Sequence, residues 1–257
     1  MLREISEGHV RTETHDGITT IEFYHPQSNS LPGRLLDALT HEVHGAGNDP
    51  HTRVIILRSA GSKAFCAGAS FDELMAIQNA DQGFLFFSGF AHLINAIRKC
   101  PQFVIARIHG RCVGGGVGIA AAADYAIAVD GAEVKLSELA LGIGPFVVGP
   151  AVERRIGLSA FSALAIDATM WRDAEWARRR GLYAELHGNS VGMDESIIRL
   201  ANQLAHSSPE AMAQLKHTLW KGTEHWDQLL LERAAMSGRL ILTPSARQAL
   251  SKIKGGR

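Results

Sequence analysis

A run of glycines in the middle of the chain is the feature best suited to chemistry. Gly114, Gly115 and Gly116 follow an apolar, strand-like run at residues 103–108, and they open a short helix without charged residues. The N–H groups and the positive dipole end of such a helix would face a bare surface, where they can hold a negatively charged oxygen. Glu138, a carboxyl in an otherwise apolar run, adds a group that can exchange protons. Together these residues suggest catalysis by oxyanion stabilisation with one acid/base.

Each of these features also has a plainer explanation. Glycines occur where a helix packs closely on a sheet, and an isolated glutamate can cap a helix or pair with an arginine. Residues 116–121 fit the dinucleotide-binding pattern G-x-G-x-x-A. That pattern is weak here, because the glycines lie well beyond the strand end, the helix is very short and Glu138 does not follow a second long strand.

Two other motifs fail on their spacing. A loop of small residues at 63–72 follows a buried strand and offers further N–H donors. Its Ser70 does not fit a hydrolase nucleophile, because residues 68–72 lack the last glycine of G-x-S-x-G. His41 and His44 lie one residue too close together for the His-Glu-x-x-His zinc helix, so we predict no metal site.

The composition excludes several partners. The chain has 257 residues, 46% of them apolar, and a formal net charge of zero, which gives no basic field for nucleic acid or a membrane surface. The spacing of its three cysteines favours reduced thiols over disulfides or a zinc site. Residues 1–5 carry no apolar signal core, and no apolar run reaches the roughly 18 residues that span a bilayer. The expected location is therefore the cytoplasm.

The elements that must position these groups alternate along the first half of the chain. Residues 10–14 and 18–23 flank a turn and predict a hairpin. Further strands are predicted at 54–57, 103–108, 125–129 and 134–136, with helices between them at 35–43, 71–74 and 84–97. This alternation predicts an α/β fold to about residue 140. The rest is expected to be mostly helical, at 152–156, 159–168, 174–180, 194–207, 209–220 and 225–242.

Several blocks of the sequence, in order, resemble the crotonase (enoyl-CoA hydratase/isomerase) superfamily. Residues 29–31 (Asn-Ser-Leu) resemble its Asn-Ala-Leu, and residues 65–69 (Phe-Cys-Ala-Gly-Ala) resemble its Phe-x-Ala-Gly-Ala-Asp loop. Residues 104–116 resemble its segment that ends in three glycines. Residues 123–128 and 174–182 resemble its Cys-Asp-x-x-x-Ala strand and its late Ala-x-x-Ala-x-x-x-Gly-Leu-Val. The resemblance covers most of the chain to about residue 185.

The resemblance implies a fold and a substrate class. The fold would be the crotonase-type spiral of ββα units over residues 1–195, followed by a C-terminal helical trimerisation region over residues 196–257. The substrate would be an acyl-CoA thioester, with coenzyme A entering as part of the substrate and no separate cofactor. The protein would form a homotrimer or a dimer of trimers. We expect residues 229–236 to meet another subunit, because this apolar stretch would otherwise be bare.

The resemblance also assigns roles to residues. Ala69 and Gly115 match the positions whose backbone N–H groups form the family's oxyanion hole, which favours an enolate-like thioester oxygen over the neutral carbonyl. Glu138 matches an acid/base position. The residues implied to bind substrate and coenzyme A are Lys63, Ala64, Phe65, Ala67, Gly114, Gly118, Pro145 and Phe146.

Two departures from the family pattern leave the reaction open. Gly118 stands where well-studied hydratases carry a first glutamate. Glu138 would then have to carry out both proton transfers of a hydration in sequence, or water or another group would relay one of them. Phe146, Val147 and Val148 replace small residues, which predicts a more apolar pocket. The run Leu136–Glu138, together with Pro145, Pro150 and Gly118, resembles the pattern of bacterial methylglutaconyl-CoA hydratases. This resemblance favours a short or branched 2-enoyl-CoA as substrate. Double-bond isomerisation, decarboxylation, non-catalytic acyl-CoA binding and a scaffold role for the helical tail remain alternatives.

Overall fold

Two sheets carry the fold of the computed structural model, which describes residues 7–255. The larger sheet has the strand order β1-β2-β3-β5-β7-β9, in which β1 and β2 are antiparallel and all other neighbours are parallel. The smaller sheet is parallel, with the order β4-β6-β8. The strands are β1 (His9–His15), β2 (Ile18–Tyr24), β3 (Val54–Ser59), β4 (Ala64–Cys66), β5 (Phe103–Ile108), β6 (Arg111–Val113), β7 (Tyr125–Val129), β8 (Val134–Lys135) and β9 (Glu185–His187).

The residue types explain where these strands lie. The central strands β3 and β5 are almost continuously apolar and buried, as expected for parallel strands covered on both faces. In β2, buried and half-buried residues alternate, because one of its faces is less covered. Asp16 and Gly17 both have positive φ angles, which produces the tight turn between β1 and β2.

Ten helices pack around the sheets in the described part of the chain. Side chains at the N-caps fix the starts of five of them, since Ser70, Asn79, Asp173, Asn189 and Ser208 each accept a backbone N–H. The helices are α1 (Gly33–Asn48), α2 (Phe71–Ala76), α3 (Ala80–Lys99), α4 (Gly115–Ala122), α5 (Gly149–Ile166), α6 (Ala174–Arg179), α7 (Ser190–Ala205), α8 (Pro209–Leu219), α9 (Trp226–Leu240) and α10 (Pro244–Gly255), with a 3₁₀ turn at Leu139–Leu141.

Within residues 7–255, no helix combines the length and the apolar character needed to cross a bilayer.

The α/β fold predicted from the sequence is confirmed, and the differences are local. Strands β5 and β7 have the expected bounds, and the two helices expected at 152–168 form α5, which is interrupted at Gly157. Strand β9 was not expected, because its three half-buried residues are too short to show a periodic pattern. The expected boundary at residue 195 falls inside α7, and the division into two regions stays a prediction.

The C-terminal region folds back on the rest of the same chain. Helix α9 packs along α3, and a Cβ atom placed on Gly83 would lie 2.6 Å from Cα of Gly238. Leu230 and Ala234 are fully buried as a result. The expectation that residues 229–236 would be bare without another subunit is therefore wrong, and their contact with another subunit stays a prediction. Two facing glycines let the helices approach closely enough for α3 to cover that stretch.

Candidate active site

Three loops meet at the carboxyl-end edge of the smaller sheet. Because β4, β6 and β8 are parallel, their carboxyl ends lie side by side. Ala69, Gly115 and Glu138 follow these three strands within a few residues and line one cavity of about 450 Å³. Most of its other lining residues are apolar, and they include Phe71, Leu74, Phe87, Phe90, Val113, Leu141, Ile143, Val147 and Val148.

The backbone N–H of Ala69 points away from Leu31, whose backbone hydrogen bonds hold the loop that carries Ala69. Leu31 donates its N–H to the Gly68 carbonyl at 2.8 Å, and its own carbonyl accepts the N–H of Ser70 at 3.0 Å. Successive peptide groups of an extended chain point to opposite sides, so the Ala69 N–H faces away from Leu31. Among residues 7–255 this N–H has no hydrogen-bond acceptor. It is therefore available to a ligand in the cavity.

Gly115 brings a second available N–H to the same place. It is the first residue of α4, so its N–H has no acceptor within the helix, and no other part of the described chain supplies one. The loop carrying Ala69 lies beside it, since a Cβ atom on Gly68 would be 3.4 Å from the Gly115 nitrogen. Two N–H donors from neighbouring loops thus border one cavity, as an oxyanion hole requires.

Glu138 brings a buried carboxyl to these donors. A Cβ atom on Gly114 would lie 2.8 Å from its Oε1, and Gly114 has a φ of +51°, so only glycine suits that position. The residue as a whole is half-buried, but its Oε2 is fully buried and has no hydrogen-bond partner among the described residues. Burial raises the pKa of the Glu138 carboxyl to about 7, although its own backbone N–H opposes the shift. Such a carboxyl can both accept and donate a proton near neutral pH.

Gly118 does not line the cavity, because the side chain of Val148 occupies the space next to it. A Cβ atom on Gly118 would lie 2.6 Å from Cβ of Val148, and Val148 is itself almost fully buried. The glutamate that well-studied hydratases carry at this position would therefore overlap Val148 here. A site with two carboxyls after Gly118→Glu stays a prediction, and it requires Val148 to give way.

The other residues predicted to bind substrate fall into two groups. Ala67, Gly114, Pro145 and Phe146 line the cavity. Lys63, Ala64 and Phe65 do not line it: Lys63 is exposed, Ala64 is buried, and the fully buried Phe65 ring packs on Phe23 with a centroid distance of 5.5 Å. The Phe65 side chain is therefore part of the core.

Several residues around the cavity were missed by the analysis of the sequence. Lys135 and Trp171 line it together, and Ser237 reaches it from α9, far along the chain. Asn29 is buried behind the Ala69 loop, where its side-chain amide donates to the carbonyls of Ala60 and Ala64 at 2.8 and 2.9 Å. The Asn-Ser-Leu block that contains Asn29 was a usable signal, whereas nothing local pointed to Lys135, Trp171 or Ser237.

Within residues 7–255, no three His, Cys, Asp or Glu side chains lie close enough together to share a metal ion.

Comparison with known proteins gives a family and a fold. The family model described as enoyl-CoA hydratase/isomerase matches residues 13–247. A crystal structure of an enoyl-CoA hydratase from Bacillus halodurans superimposes with a TM-score of 0.88 and 23% identity, covering 95% of this chain and 99% of that one. At this identity the structural match speaks for the fold.

Curated relatives share parts of the sequence. A (7aS)-7a-methyl-1,5-dioxo-2,3,5,6,7,7a-hexahydro-1H-indene-carboxyl-CoA hydrolase of Rhodococcus jostii is 35% identical over 52% of this chain and 52% of its own length. The mitochondrial methylglutaconyl-CoA hydratase of Mus musculus is 32% identical over 76% of this chain and 63% of its own. A carnitinyl-CoA dehydratase of Citrobacter koseri is 30% identical over 94% and 91%.

This chain thus matches only about half of the length of the hydrolase and less than two thirds of the length of the methylglutaconyl-CoA hydratase. The third match and the family model extend over nearly the whole chain. The chain belongs to the enoyl-CoA hydratase/isomerase family and has the crotonase fold.

Proposed function

We propose that this enzyme hydrates a short or branched 2-enoyl-CoA, with Glu138 as its single acid/base and the N–H groups of Ala69 and Gly115 as its oxyanion hole. The observation that carries the proposal is the buried Oε2 of Glu138, which has no hydrogen-bond partner among the described residues and lies in the same cavity as these two available donors. The relatives named as a hydratase and a dehydratase support water addition or removal as the reaction class.

One carboxyl can complete the reaction in two steps. In the first, the ionised Glu138 takes a proton from water while the water oxygen bonds to Cβ of the substrate. The electron pair of the double bond shifts to the thioester oxygen, where the N–H groups of Ala69 and Gly115 stabilise the enolate. In the second, Glu138 returns that proton to Cα as the thioester carbonyl re-forms. A pKa of about 7 suits both steps, because either protonation state is accessible near neutral pH.

The proposal needs no cofactor besides the coenzyme A of the substrate. The enolate is stabilised by backbone N–H groups, and the proton is moved by Glu138. Most of the remaining cavity wall is apolar, which suits the hydrocarbon part of a short acyl group and keeps the Glu138 carboxyl poorly solvated.

The test is a panel of CoA thioesters assayed with Glu138→Gln beside the natural enzyme, with products identified by mass spectrometry. We expect hydration of 2-enoyl-CoA substrates to fall about 100- to 10,000-fold in the variant, the usual loss of an acid/base group. Binding of a saturated acyl-CoA should be retained. Equal hydration rates in the two proteins would contradict the role of Glu138.

A second candidate reaction is double-bond isomerisation. It requires one base that removes a proton and returns it elsewhere, and the cavity provides one such carboxyl in the described chain. Decarboxylation would need the same oxyanion hole and a proton donor. Assaying isomerisation of 3-enoyl-CoA and decarboxylation in the same panel ranks the three reactions, and tight binding with no turnover of any thioester would identify a non-catalytic binder.

A further inference from the structure

Lys135 places a positive charge in an otherwise mostly apolar cavity. Lys135 and Glu138 are the charged residues among those that line the cavity in the described chain. Lys135 ends strand β8, and its carbonyl accepts the N–H of Gly114 at 2.9 Å, so its backbone is fixed beside the candidate oxyanion hole. A lysine in such a place is unexpected, because burying an ammonium group beside apolar side chains is unfavourable.

The surroundings of Lys135 hold its ammonium group without neutralising it. Its Nζ lies 4.3 Å from the centroid of the Trp171 ring, and the guanidinium carbon of Arg111 lies 4.8 Å from the same centroid. Arg111 pairs with Glu133 at 2.7 Å. No carboxylate of residues 7–255 lies within 4.0 Å of the Lys135 Nζ. The charge of Arg111 is therefore balanced by Glu133, whereas the positive charge of Lys135 has no carboxylate beside it among the described residues.

Two effects make an anion favourable at this position. Partial burial and the nearby Arg111 charge both lower the pKa of Lys135. A negatively charged group of the substrate would oppose both effects at once. It would also meet an ammonium group already oriented by the ring of Trp171, so little side-chain freedom would be lost on binding.

We propose that Lys135, held on Trp171, binds a carboxylate carried by the acyl group of the substrate, so that the substrate is the CoA monothioester of a dicarboxylic acid. This inference rests on the proposed function, since it takes the thioester to lie at Ala69 and Gly115.

The position of Lys135 favours an acyl carboxylate over a phosphate of coenzyme A. Only two residues separate Lys135 from Glu138, which limits their Cα atoms to a separation of about 10 Å. The lysine side chain and a short acyl chain that ends in a carboxylate can together cover such a distance. The phosphates of coenzyme A lie beyond the pantetheine arm, which is longer than a short acyl chain.

Equilibrium binding of saturated thioesters tests this proposal separately from catalysis, because these compounds have no double bond to react. Two saturated acyl-CoA probes are compared, one ending in a carboxylate and the other in an isosteric isopropyl group. We expect Lys135→Met to weaken binding of the carboxylate probe about 10- to 100-fold, the range of a charge-assisted hydrogen bond, and to leave binding of the isopropyl probe unchanged. Lys135→Arg should retain most of the preference.

Two controls identify the source of any effect. The exposed Lys221→Met variant should bind both probes as the natural protein does. N-acetylcysteamine thioesters of the same two acids lack phosphates, and the carboxylate preference should persist with them. Weaker binding of both CoA probes to Lys135→Met, combined with no effect on the N-acetylcysteamine pair, would overturn the proposal and assign Lys135 to a phosphate. A natural protein that prefers the isopropyl probe would overturn it as well.

Failure of the proposed function gives a different pattern. If the carboxylate probe binds in a Lys135-dependent way but no unsaturated analogue is turned over, the carboxylate site stands and the hydratase proposal fails. If 2-enoyl-CoA thioesters are hydrated but the carboxylate probe binds equally well to the natural protein and to Lys135→Met, the hydratase proposal stands and the carboxylate site fails.

Discussion

At the scale of single residues, the site depends on a carboxyl that the protein keeps poorly solvated. Oε2 of Glu138 is buried without a partner, and burial raises the pKa of the carboxyl to about 7. Natural proteins satisfy most buried polar atoms, so an exception next to two available N–H donors indicates that a ligand completes the site. The same burial that makes the Glu138 carboxyl suitable for proton transfer disfavours its ionised form in the folded protein.

The pH dependence of the reaction is the first prediction at this scale. We expect kcat/KM for hydration to rise as the pH increases through about 7, because the base must be ionised to take a proton from water. The measurement is a pH profile between about pH 5 and about pH 9, limits chosen to bracket that value. An activity that is flat across this interval would show that Glu138 is not the base of the free enzyme.

Glu138→Gln is predicted to stabilise the protein at alkaline pH. Because the folded-state pKa of about 7 lies above the ordinary value of 4.5, the carboxyl favours folding below about 4.5, and this contribution is lost as the pH rises through 7. Removing the charge should therefore raise the free energy of unfolding by on the order of 3 kcal/mol at about pH 8.

Urea denaturation of both proteins at about pH 4 and about pH 8 measures this difference. The gain should be small at the lower pH, where the natural carboxyl is also neutral. The exposed Glu153→Gln variant serves as the control and should show no such trend. A Glu138→Gln variant that is less stable than the natural protein at about pH 8 would contradict the burial argument.

Gly118 and Val148 are predicted to be energetically coupled. Gly118→Ala should cost about 1–3 kcal/mol of stability, because its Cβ would overlap the side chain of Val148. In the Val148→Gly background the same substitution should cost much less. Denaturant melts of the four proteins of this double-mutant cycle give the coupling free energy.

Gly131→Ala is the matched control for this cycle, because nothing lies within 4 Å of a Cβ atom at that position. Strictly additive effects of the substitutions at 118 and 148 would show that Val148 does not exclude a side chain at 118. A positive result would mean that Gly118→Glu requires Val148→Gly to be accommodated.

At the scale of elements, helix α8 is attached to the sheet by a buried ion pair. Lys216 is only 2% exposed, and its Nζ lies 2.8 Å from Oδ2 of Asp124, the residue just before β7. The same ammonium donates to the carbonyls of Ile97 and Gln102 at 2.8 and 2.7 Å. Asp124 also accepts the indole N–H of Trp220 at 2.8 Å. One cation thus joins α8, the end of α3 and the start of β7.

Lys216→Met is therefore predicted to destabilise the protein strongly. It leaves the carboxylate of Asp124 buried without its cation, a change that typically costs about 3–5 kcal/mol. Urea denaturation measures the loss, and the exposed Lys221→Met just beyond α8 is the control. A loss no larger than that of the control would mean that the pair contributes little to attaching α8.

At the scale of the whole molecule, the C-terminal helices form part of the site region. A Cβ atom on Gly142, in the turn after Glu138, would lie 2.7 Å from Cα of Ala246 in α10. Arg247 of α10 donates to the carbonyls of Met75 and Ile77, at the end of the helix that follows Ala69. Helix α10 therefore contacts both the segment carrying the candidate acid/base and the segment behind one N–H donor.

Arg247→Met is predicted to lower both stability and turnover. Two carbonyls lose a charged donor, which we expect to cost about 1–3 kcal/mol of stability. Because the two segments are no longer held together, kcat should fall more than the affinity for a saturated acyl-CoA. Thermal melts and steady-state kinetics check this, with the exposed Arg239→Met as the control. Unchanged kcat in a destabilised variant would limit α10 to a structural role.

The sequence alone determined those features that neighbouring residues encode. The apolar run of β5, the turn of the first hairpin and the glycines that open α4 each follow from local residue types, so they could be predicted. The glycines at 114–116 and Glu138 were predicted together from their residue types, and the family resemblance added Ala69 and the roles of the single residues. The structure places Ala69, Gly115 and Glu138 on one cavity.

Only the tertiary structure decided which distant residues meet. Val148 fills the space beside Gly118, α9 lies along α3 at Gly238 and Gly83, and Lys135 meets Trp171 at the cavity. These contacts join residues separated by 30 or more positions, and they depend on how helices and sheets pack in three dimensions. A periodic pattern reports which face of an element is apolar, but the partner of that face is selected by packing of the whole chain.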